Sequence, residues 1–441
     1  MECLFLNINQ NYLLMTLLMI IIFIVGYIAI AFEHPIKINK SASALLTGVL
    51  CWTVYILMGN DSHLISEQLT GQLGELSGIL FFLMGAMTIV ELIDAHDGFD
   101  VITSRITTNN KRKLLWIISI ITFFLSAALD NLTTAIVMVS LLRKLIDDKN
   151  DRLLFIGMVI IAANAGGAWS PIGDVTTTML WIGGQITAQN IMIKLFIPSV
   201  VCLIVPLFVL SLKMKGNIVR PKIEEYKSAN PTSAFERNVV FFMGIGALVF
   251  VPVFKTVTHL PPFMGVLFGL AVLWVVTELI HSKKDDEDKD TLSVVHALRK
   301  IDVPSILFFL GILIAISSLQ ATGVLAQLAQ YMNDTIGDLN IIVPAIGLLS
   351  AIVDNVPLVA ASMGMYDLQT YPPDSYIWEF LAYCAGTGGS ILIIGSAAGV
   401  AAMGIEKINF IWYLKKIAWL ALIGYLAGAI CYVALEHFFH L

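Results

Sequence analysis

The sequence predicts an all-α integral membrane protein with two inverted repeats, about ten transmembrane helices and two re-entrant hairpins with broken helices. Three observations support this fold class: the composition, the distribution of the basic residues and an internal sequence repeat.

The composition is that of a chain whose surface faces lipid. Of the 441 residues, 58% are hydrophobic and only 13% are charged, and the mean hydropathy is +0.84. Soluble domains contain about a quarter charged residues. Apolar stretches close to the roughly 20 residues that a helix needs to cross a bilayer recur along the whole chain. This pattern excludes a soluble enzyme with a single anchor.

Two local features exclude other classes. The N-terminal segment has no Lys or Arg before Lys37, so the first apolar stretch, 12–32, is predicted to be a retained helix and not a cleaved signal peptide. The cysteines show no C-x-x-C spacing, which argues against a disulfide framework or a zinc site. They are Cys3, Cys51, Cys202, Cys384 and Cys431.

Basic residues concentrate in six connections, and such residues mark the cytoplasmic side of a membrane protein. Of the 26 basic residues, all except Lys194 and Lys255 lie in the connections 37–40, 105–113, 143–152, 213–237, 283–300 and 407–416. No basic residue lies in the connections 59–74, 182–190, 321–340 and 366–376. This alternation predicts about ten crossing helices with both termini outside.

Two apolar segments are predicted to enter and leave the membrane on the same side. Residues 114–142 lie between two basic clusters, and these 29 residues are too few for two spans of about 20 residues each. Residues 341–365 have no basic residue at either flank. We therefore predict one hairpin that enters from the cytoplasm and a second that enters from outside.

Three sequence matches in the same order relate the two halves. Residues 79–83, 126–131 and 166–173 recur at offsets of 227, 224 and 222. Each half then holds five crossings and one hairpin, and an odd number of crossings inverts the second copy. The predicted first repeat is 1–213, with hairpin 114–142 and broken helix 153–181. A cytoplasmic linker, 214–236, joins it to the second repeat, 237–441, with hairpin 341–365 and broken helix 377–404.

Asp130 and Asp354 lie near the middle of the two predicted hairpins, and each is followed by an asparagine, Asn131 or Asn355. An ionised carboxylate at membrane depth costs on the order of a few kcal/mol unless it lines a polar cavity. An alternative is that Asp-Asn only caps the helix that follows. Because capping does not require an acid in both hairpins, we expect a binding role.

A third aspartate, Asp174, lies in the segment 164–177, NAGGAWSPIGDVTT. Paired glycines followed by Ser-Pro and Gly-Asp are expected to break a helix near mid-membrane and to expose its backbone ends. The corresponding break in the second half is 387–396, where Ser396 takes the place of Asp174. The two halves are therefore chemically unequal.

The candidate site combines carboxylate, amide and hydroxyl oxygens, which hard cations prefer to Cys or His ligands. A buried carboxyl that holds a cation when ionised and a proton when neutral makes the two binding events mutually exclusive. This chemistry predicts a cation/proton exchanger. The candidate cation- and proton-binding residues are Asp130, Asn131, Thr133, Thr134, Asn164, Asp174, Thr176, Thr177, Ser350, Asp354, Asn355, Ser390 and Ser396.

Other polar features carry weaker hypotheses. Glu91, Asp94 and His96 are interpreted as an interfacial helix end, with a pH-sensing role as the alternative. Residues 171–174 (PIGD) resemble the motif of an intramembrane aspartyl protease, but Pro171 stands where a glycine is expected. No phosphate-binding loop supports ATP-driven pumping.

The motifs SAALDNLTT at 126–134, GGAWSPIGDVTT at 166–177 and SAIVDNVP at 350–357 resemble the NhaD-type sodium/proton antiporters of the ion-transporter superfamily. The resemblance covers nearly the whole chain. It implies that cytoplasmic Na+ or Li+ is exchanged for external H+, with Na+ at Asp130, Asn131, Asp174, Asp354 and Asn355. It also implies a scaffold domain for a homodimer and a mobile transport domain. Superfamily relatives that carry dicarboxylates have Ser-Asn-Thr at the hairpin tips, so the acids here argue against an anionic substrate.

The sequence therefore predicts a secondary transporter that is not an enzyme and needs no cofactor besides the transported ions. We expect the lipid bilayer and small inorganic cations as partners, and no nucleic acid. A bacterial inner (plasma) membrane is the predicted location. The alternatives are a superfamily exporter or symporter of another solute, such as arsenite or a carboxylate, and an intramembrane enzyme.

Overall fold

The computed structural model describes residues 2–59, 61–221, 232–352 and 354–439. In this part of the chain all regular elements are helices, and β-structure is limited to one isolated bridge between Asn110 and Asn217. The predicted all-α fold is confirmed. Ten helices form before the described chain breaks at residue 222: α1 (Glu2–Ala31), α2 (Glu33–Ile36), α3 (Lys40–Met58), α4 (Ser62–Ala95), α5 (Asp100–Thr103), α6 (Lys111–Ala128), α7 (Asn131–Leu145), α8 (Lys149–Ala168), α9 (Val175–Ile182) and α10 (Ala188–Lys213).

The remaining helices follow the predicted linker, of which residues 222–231 lie outside the described residues. A short 3-10 turn, His281–Lys283, separates the second and third of them. They are α11 (Ala234–Thr258), α12 (Pro262–Ile280), α13 (Asp286–Leu292), α14 (Val294–Lys300), α15 (Val303–Ala321), α16 (Val324–Thr335), α17 (Leu339–Leu349), α18 (Asn355–Met365), α19 (Tyr376–Gly388), α20 (Ala397–Glu406), α21 (Phe410–Lys416) and α22 (Ala418–Phe439).

Nine helices within the described ranges are long and apolar enough to cross a membrane. The further crossing that the sequence predicts, 377–404, is built from α19 and α20, which contain 13 and 10 residues. Neither half could span about 30 Å of hydrocarbon by itself. The chain is thus a multi-pass membrane protein.

The first predicted hairpin, 114–142, is formed by α6 and α7, which meet at Leu129 and Asp130. Its two outer ends lie together. Lys111 at the start of α6 forms an ion pair of 2.6 Å with Asp151 in the first turn of α8. Arg143 near the end of α7 pairs with Glu406 at 2.7 Å, and Arg152 of α8 pairs with the same glutamate at 3.2 Å. The segment therefore enters and leaves at one end, as a re-entrant hairpin must.

The segment 341–365, predicted to be the second hairpin, contains most of α17 and all of α18. Its turn includes Ser350, Ala351 and Asp354, whereas Val353 lies outside the described residues. α18 begins at Asn355.

The two broken helices run in opposite directions. α8 begins beside the end of α20, because Arg152 pairs with Glu406 at 3.2 Å. The connection after α9 lies beside the start of α19, because the backbone N–H and the hydroxyl of Thr187 donate to the Asp374 carboxylate at 2.6 and 2.9 Å. Each broken helix therefore begins where the other ends, which is the arrangement expected of inverted repeats.

The described chain divides into two compact units, and each draws on both sequence halves. Unit 1 comprises Met1–Phe81, Asp302–Ile342 and Val356–Pro372; unit 2 comprises Phe82–Ile301, Val343–Asn355 and Pro373–Leu441. In unit 1, α3 packs on α15 so closely that the Trp52 indole donates to the Ile314 carbonyl at 2.9 Å. Unit 2 holds the tips of both hairpins and both broken helices. The repeat boundaries 1–213, 214–236 and 237–441 stay a prediction.

Candidate cation and proton site

The tip of the first hairpin is organised by Asp130, which caps the N-terminus of α7. Its carboxylate accepts hydrogen bonds from the Thr133 N–H at 2.7 Å and from the Thr133 hydroxyl at 3.0 Å. Its φ of 141° lies in a region that residues with a Cβ rarely adopt. Asp130 therefore caps α7, as the alternative interpretation of the sequence predicted. Its strained backbone is typical of a functional site, so capping alone does not explain this turn.

Asp174 lies at the break between α8 and α9, and its side chain is almost completely buried. One carboxylate oxygen accepts from the N–H and the hydroxyl of Thr176, both at 2.8 Å. The other accepts a short hydrogen bond from the Asn131 amide. The Asn355 amide lies 3.4 and 3.5 Å from the two oxygens. Both hairpin tips thus present an amide to the carboxylate of one broken helix.

Asn164 connects this carboxylate to the second broken helix. Its carbonyl oxygen accepts from the Asn131 amide at 3.1 Å. Its amide nitrogen donates to the hydroxyls of Ser390 and Ser396 at 2.8 and 2.9 Å. Ser396 also caps α20, as Asp174 caps α9, which agrees with the predicted equivalence of the two positions.

The other two acids lie near Asp174. Asp130 and Asp354 are half-buried, and both lie near enough for their negative charges to repel that of Asp174. In the described part of the chain, no three His, Cys, Asp or Glu side chains converge as a metal centre.

Three predicted site residues direct their hydroxyls elsewhere. Thr177 donates to the Asp174 backbone carbonyl at 2.9 Å, and Ser350 donates to the Ala385 carbonyl at 2.9 Å. The buried Thr134 hydroxyl has no hydrogen-bond partner among the described residues. Ser126 makes the bond that corresponds to that of Ser350, to the Ala163 carbonyl at 2.6 Å. These two serines hold each hairpin against the broken helix of its own half.

Glycines allow the hairpins to approach the broken helices backbone to backbone. A Cβ on Gly166 would lie 2.1 Å from the Phe123 carbonyl oxygen, and a Cβ on Gly388 would lie 2.0 Å from that of Gly347. The two contacts are related by the repeat, since 166 corresponds to 388 and 123 to 347. The paired glycines therefore do more than break the helix, because they set the depth at which each tip reaches the site.

The sequence reasoning missed two buried glutamates. Glu406 at the end of α20 lies between Arg143 and Arg152. Glu379 of α19 is completely buried and accepts hydrogen bonds from Asn190 and Tyr432. Both glutamates lie near the ends of predicted spans. An acid at such a position is normally expected to face water, so the sequence alone does not show that it is buried.

The polar end of α4 is more closely packed than the sequence indicates. His96 and His281 are both buried, and their rings stack with Nε2 atoms 3.2 Å apart. Burial lowers the pKa of His96 to about 4 and also lowers that of His281. Both imidazoles are therefore neutral at pH 7, with one ring donating to the other.

Comparisons with known proteins cover most of the chain. A family described as "Citrate transporter" (CitMHS) matches residues 18–379. "Sodium/proton antiporter 1" of Arabidopsis thaliana is 51% identical over 421 residues, which are 95% of this chain and 72% of the relative. "Sodium/proton antiporter 2" of the same plant is 48% identical over 425 residues, 95% of this chain and 100% of the relative.

A bacterial relative is similar over a comparable extent. "Na(+)/H(+) antiporter NhaD" of Vibrio parahaemolyticus is 32% identical over 413 residues, which are 85% of this chain and 94% of the relative. These alignments span both sequence halves.

Proposed function

Because this chain belongs to the NhaD-type sodium/proton antiporter family, we propose that it exchanges Na+ or Li+ for H+ across a membrane, with Asp174 as the shared binding group. The observation that carries the proposal is the setting of Asp174, a buried carboxylate surrounded by amides and hydroxyls from both repeats. The relatives that are named sodium/proton antiporters support the same activity.

Competition at one carboxylate explains the exchange. The ionised carboxylate attracts a cation, while the protonated carboxyl is neutral and does not. An Asn amide presents either a donor or an acceptor, depending on which way it faces. Asn131 and Asn355 donate to Asp174 in the structure, and by turning over they would offer oxygen ligands to Na+. Na+ and H+ therefore exclude each other at the same group.

The polarity of the helix ends supports a cation over an anion. The N-termini of α7 and α9 carry partial positive charge, but Asp130 and Asp174 occupy these two caps and neutralise it. The carbonyls at the ends of α6 and α8 stay as oxygen ligands. A carboxylate substrate such as citrate, after which the wider family is described, would meet acids where it needs donors.

The proposed cation site comprises Asp130, Asn131, Asp174, Asp354 and Asn355, with Thr133, Asn164, Thr176, Ser390 and Ser396 as supporting groups. Cytoplasmic Na+ leaves as external H+ enters, no cofactor takes part, and the protein works as a homodimer. We propose a bacterial plasma membrane with both termini outside, although the relatives include plant as well as bacterial proteins.

The test is cation-induced proton movement in everted vesicles or proteoliposomes that contain a pH-sensitive dye. Adding Na+ or Li+ should dissipate an acidic interior with the wild-type protein and not with Asp174→Asn at equal protein content. Citrate should cause no change. A citrate response without a Na+ response would replace the exchanger with a carboxylate symporter, and cation flux without linked proton movement would indicate a leak pathway.

A further inference from the structure

We infer that Glu379 is a second proton-binding site of unit 2, separate from the Asp174 site and placed at the end of the unit where α9 ends and α19 begins. The inference rests on the proposed exchange for its role in transport but not for the binding of the proton itself. It comes from the contacts of a buried carboxyl that the exchange chemistry at Asp174 does not use.

Glu379 is completely buried in the first turn of α19. One of its oxygens accepts from the Asn190 amide of α10 in a short contact. The other accepts from the Tyr432 hydroxyl of α22 at 2.8 Å. The carboxyl thus lies where three helices meet, and both of its partners are neutral.

No ion pair among the described residues involves Glu379. The charged groups that face it are Lys194, Asp374 and Glu436, from α10, the connection before α19 and α22. Lys194 is already paired with Glu436 at 3.0 Å. A buried carboxylate without a paired cation is costly, so binding a proton is the favourable alternative.

Glu406, at the opposite end of the broken helices, differs from Glu379 in the charge of its partners. Glu406 is equally buried, but its two ion pairs are with Arg143 and Arg152, which stay charged at any pH that a protein meets. Both partners of Glu406 are therefore cations. Asn190 and Tyr432 can each donate or accept a hydrogen bond, so they can serve Glu379 both with and without its proton. Such a pocket suits a group that gains and loses a proton.

The surroundings also provide a short route to water. Asn190, which contacts Glu379 directly, is half-buried, as are Lys194 and Asp374 around it. This end of unit 2 includes residues 182–190 and 373–376, which contain no basic residue and belong to connections that are predicted to be external. The chemical species that Glu379 takes up is therefore a proton from the external side.

The direct test is infrared spectroscopy of the purified full-length protein in lipid. The carbonyl stretch of a protonated carboxyl should be present in the wild type at pH values well above the usual glutamic acid pKa of about 4.3. It should lose the contribution of one group in Glu379→Gln and lose none in the exposed-acid control Glu278→Gln. Identical spectra of the wild type and Glu379→Gln from about pH 5 to about pH 9 would overturn the inference.

Transport distinguishes a proton site from a structural contact. Glutamine has the same shape and can keep both hydrogen bonds, so a purely structural role predicts a wild-type rate and pH profile for Glu379→Gln. We expect its exchange rate to fall by at least about tenfold, with partial activity and a displaced pH profile in Glu379→Asp. Unchanged exchange in Glu379→Gln would contradict the coupling of this proton to transport.

If Glu379→Gln does not fold, Tyr432→Phe removes one partner and should shift the pH at which the infrared band disappears; an unshifted band would again overturn the inference. If the wild type itself shows no exchange, the proposed function fails, while the infrared result still decides whether Glu379 holds a proton.

Discussion

Asn164 donates a hydrogen bond of 2.9 Å to the Ser396 hydroxyl and thereby joins the broken helix of the first half to that of the second. The same residue accepts from Asn131, which in turn donates to Asp174. Because Asn164 is completely buried, these partners replace the water that it would otherwise bind. The two repeats therefore share one polar network at the candidate site.

Replacing Asn164 by alanine should weaken cation binding. The change leaves Ser390 and Ser396 without their common donor, and a buried group without its partner costs about 1–3 kcal/mol. We expect the apparent Na+ affinity to fall about tenfold, which corresponds to about 1.4 kcal/mol. The measurement is the Na+ dependence of dye dequenching in proteoliposomes. An unchanged Na+ dependence would show that the network is not part of the binding site.

The asymmetry of the halves predicts unequal variants at equivalent positions. Asp174→Asn should abolish exchange, because an amide carries no negative charge to hold a cation and releases no proton near neutral pH. Ser396→Ala removes a neutral hydroxyl and should lower the rate only in part. Both variants are compared at equal folded protein, assessed by size-exclusion chromatography. If Ser396→Ala were as damaging as Asp174→Asn, proton coupling could not be assigned to the first half.

The contact between Gly166 and Phe123 predicts a steric limit. In Gly166→Ala the added Cβ would lie 2.1 Å from a backbone oxygen, so the hairpin must move away from the broken helix. We expect a loss of stability on the order of 1–3 kcal/mol together with impaired exchange. Gly74→Ala is the matched control, since nothing lies within 4 Å of its Cβ position. Thermal unfolding in detergent compares the two, and equal stability would contradict the close contact.

Glu406 is predicted to stabilise unit 2 without taking part in exchange. Glu406→Gln leaves Arg143 and Arg152 without their common anion; because the Arg143 side chain is 55% exposed, the cost should lie below the about 3–5 kcal/mol of a fully buried ion pair. We expect a lower unfolding temperature with the exchange rate per folded molecule retained. Lys300→Met, which breaks the 3.6 Å pair with Glu91, should cost less than about 1 kcal/mol. Equal effects of the two variants would refute a special role for Glu406.

The buried His96–His281 pair predicts a pH dependence of stability. Burial lowers the pKa of His96 in the folded protein to about 4, whereas the unfolded chain has the usual value of about 6.5. As the pH falls below about 6.5, the unfolded state binds the proton first, so stability is full above that pH and is lost towards about pH 4. Glu236, Lys284 and Glu278 face the pair and are unchanged in the test. His96→Gln should flatten the decline of the unfolding temperature between about pH 7 and about pH 5; an equal slope would contradict it.

Much of the fold could be read from residue patterns. The hairpin 114–142 was predicted from flanking basic residues and from its length, and the structure forms it from α6 and α7. The broken helices at 153–181 and 377–404 followed from glycine, proline and serine in apolar segments, and the breaks occur there. Such patterns can be read from the sequence because crossing a bilayer imposes length and charge rules that act locally along the chain. The bounds of the repeats, hairpins and broken helices stay predictions.

The candidate site was predicted less completely. The sequence identified Asp174, Asn164 and the two Asp-Asn pairs, but it placed Asp130 and Asn131 on an equal footing. In the structure Asn131 contacts Asp174, whereas Asp130 turns back to cap its own helix. Adjacent residues in a tight turn point in different directions, and the backbone conformation that decides which one faces the site is not encoded in residue type.

The sequence by itself determined that this is a membrane-spanning all-α protein with a repeated pair of hairpins and broken helices, because hydrophobic length, basic flanks and glycine positions each act over a few residues. Only the tertiary structure decided that each compact unit contains segments of both sequence halves. It also showed that Asn164 of the first half is bonded to Ser396 of the second. It alone distinguished Glu406, held by arginines, from Glu379, held by neutral groups. A carboxyl's partners come from helices that lie far apart in sequence, and those partners set its charge.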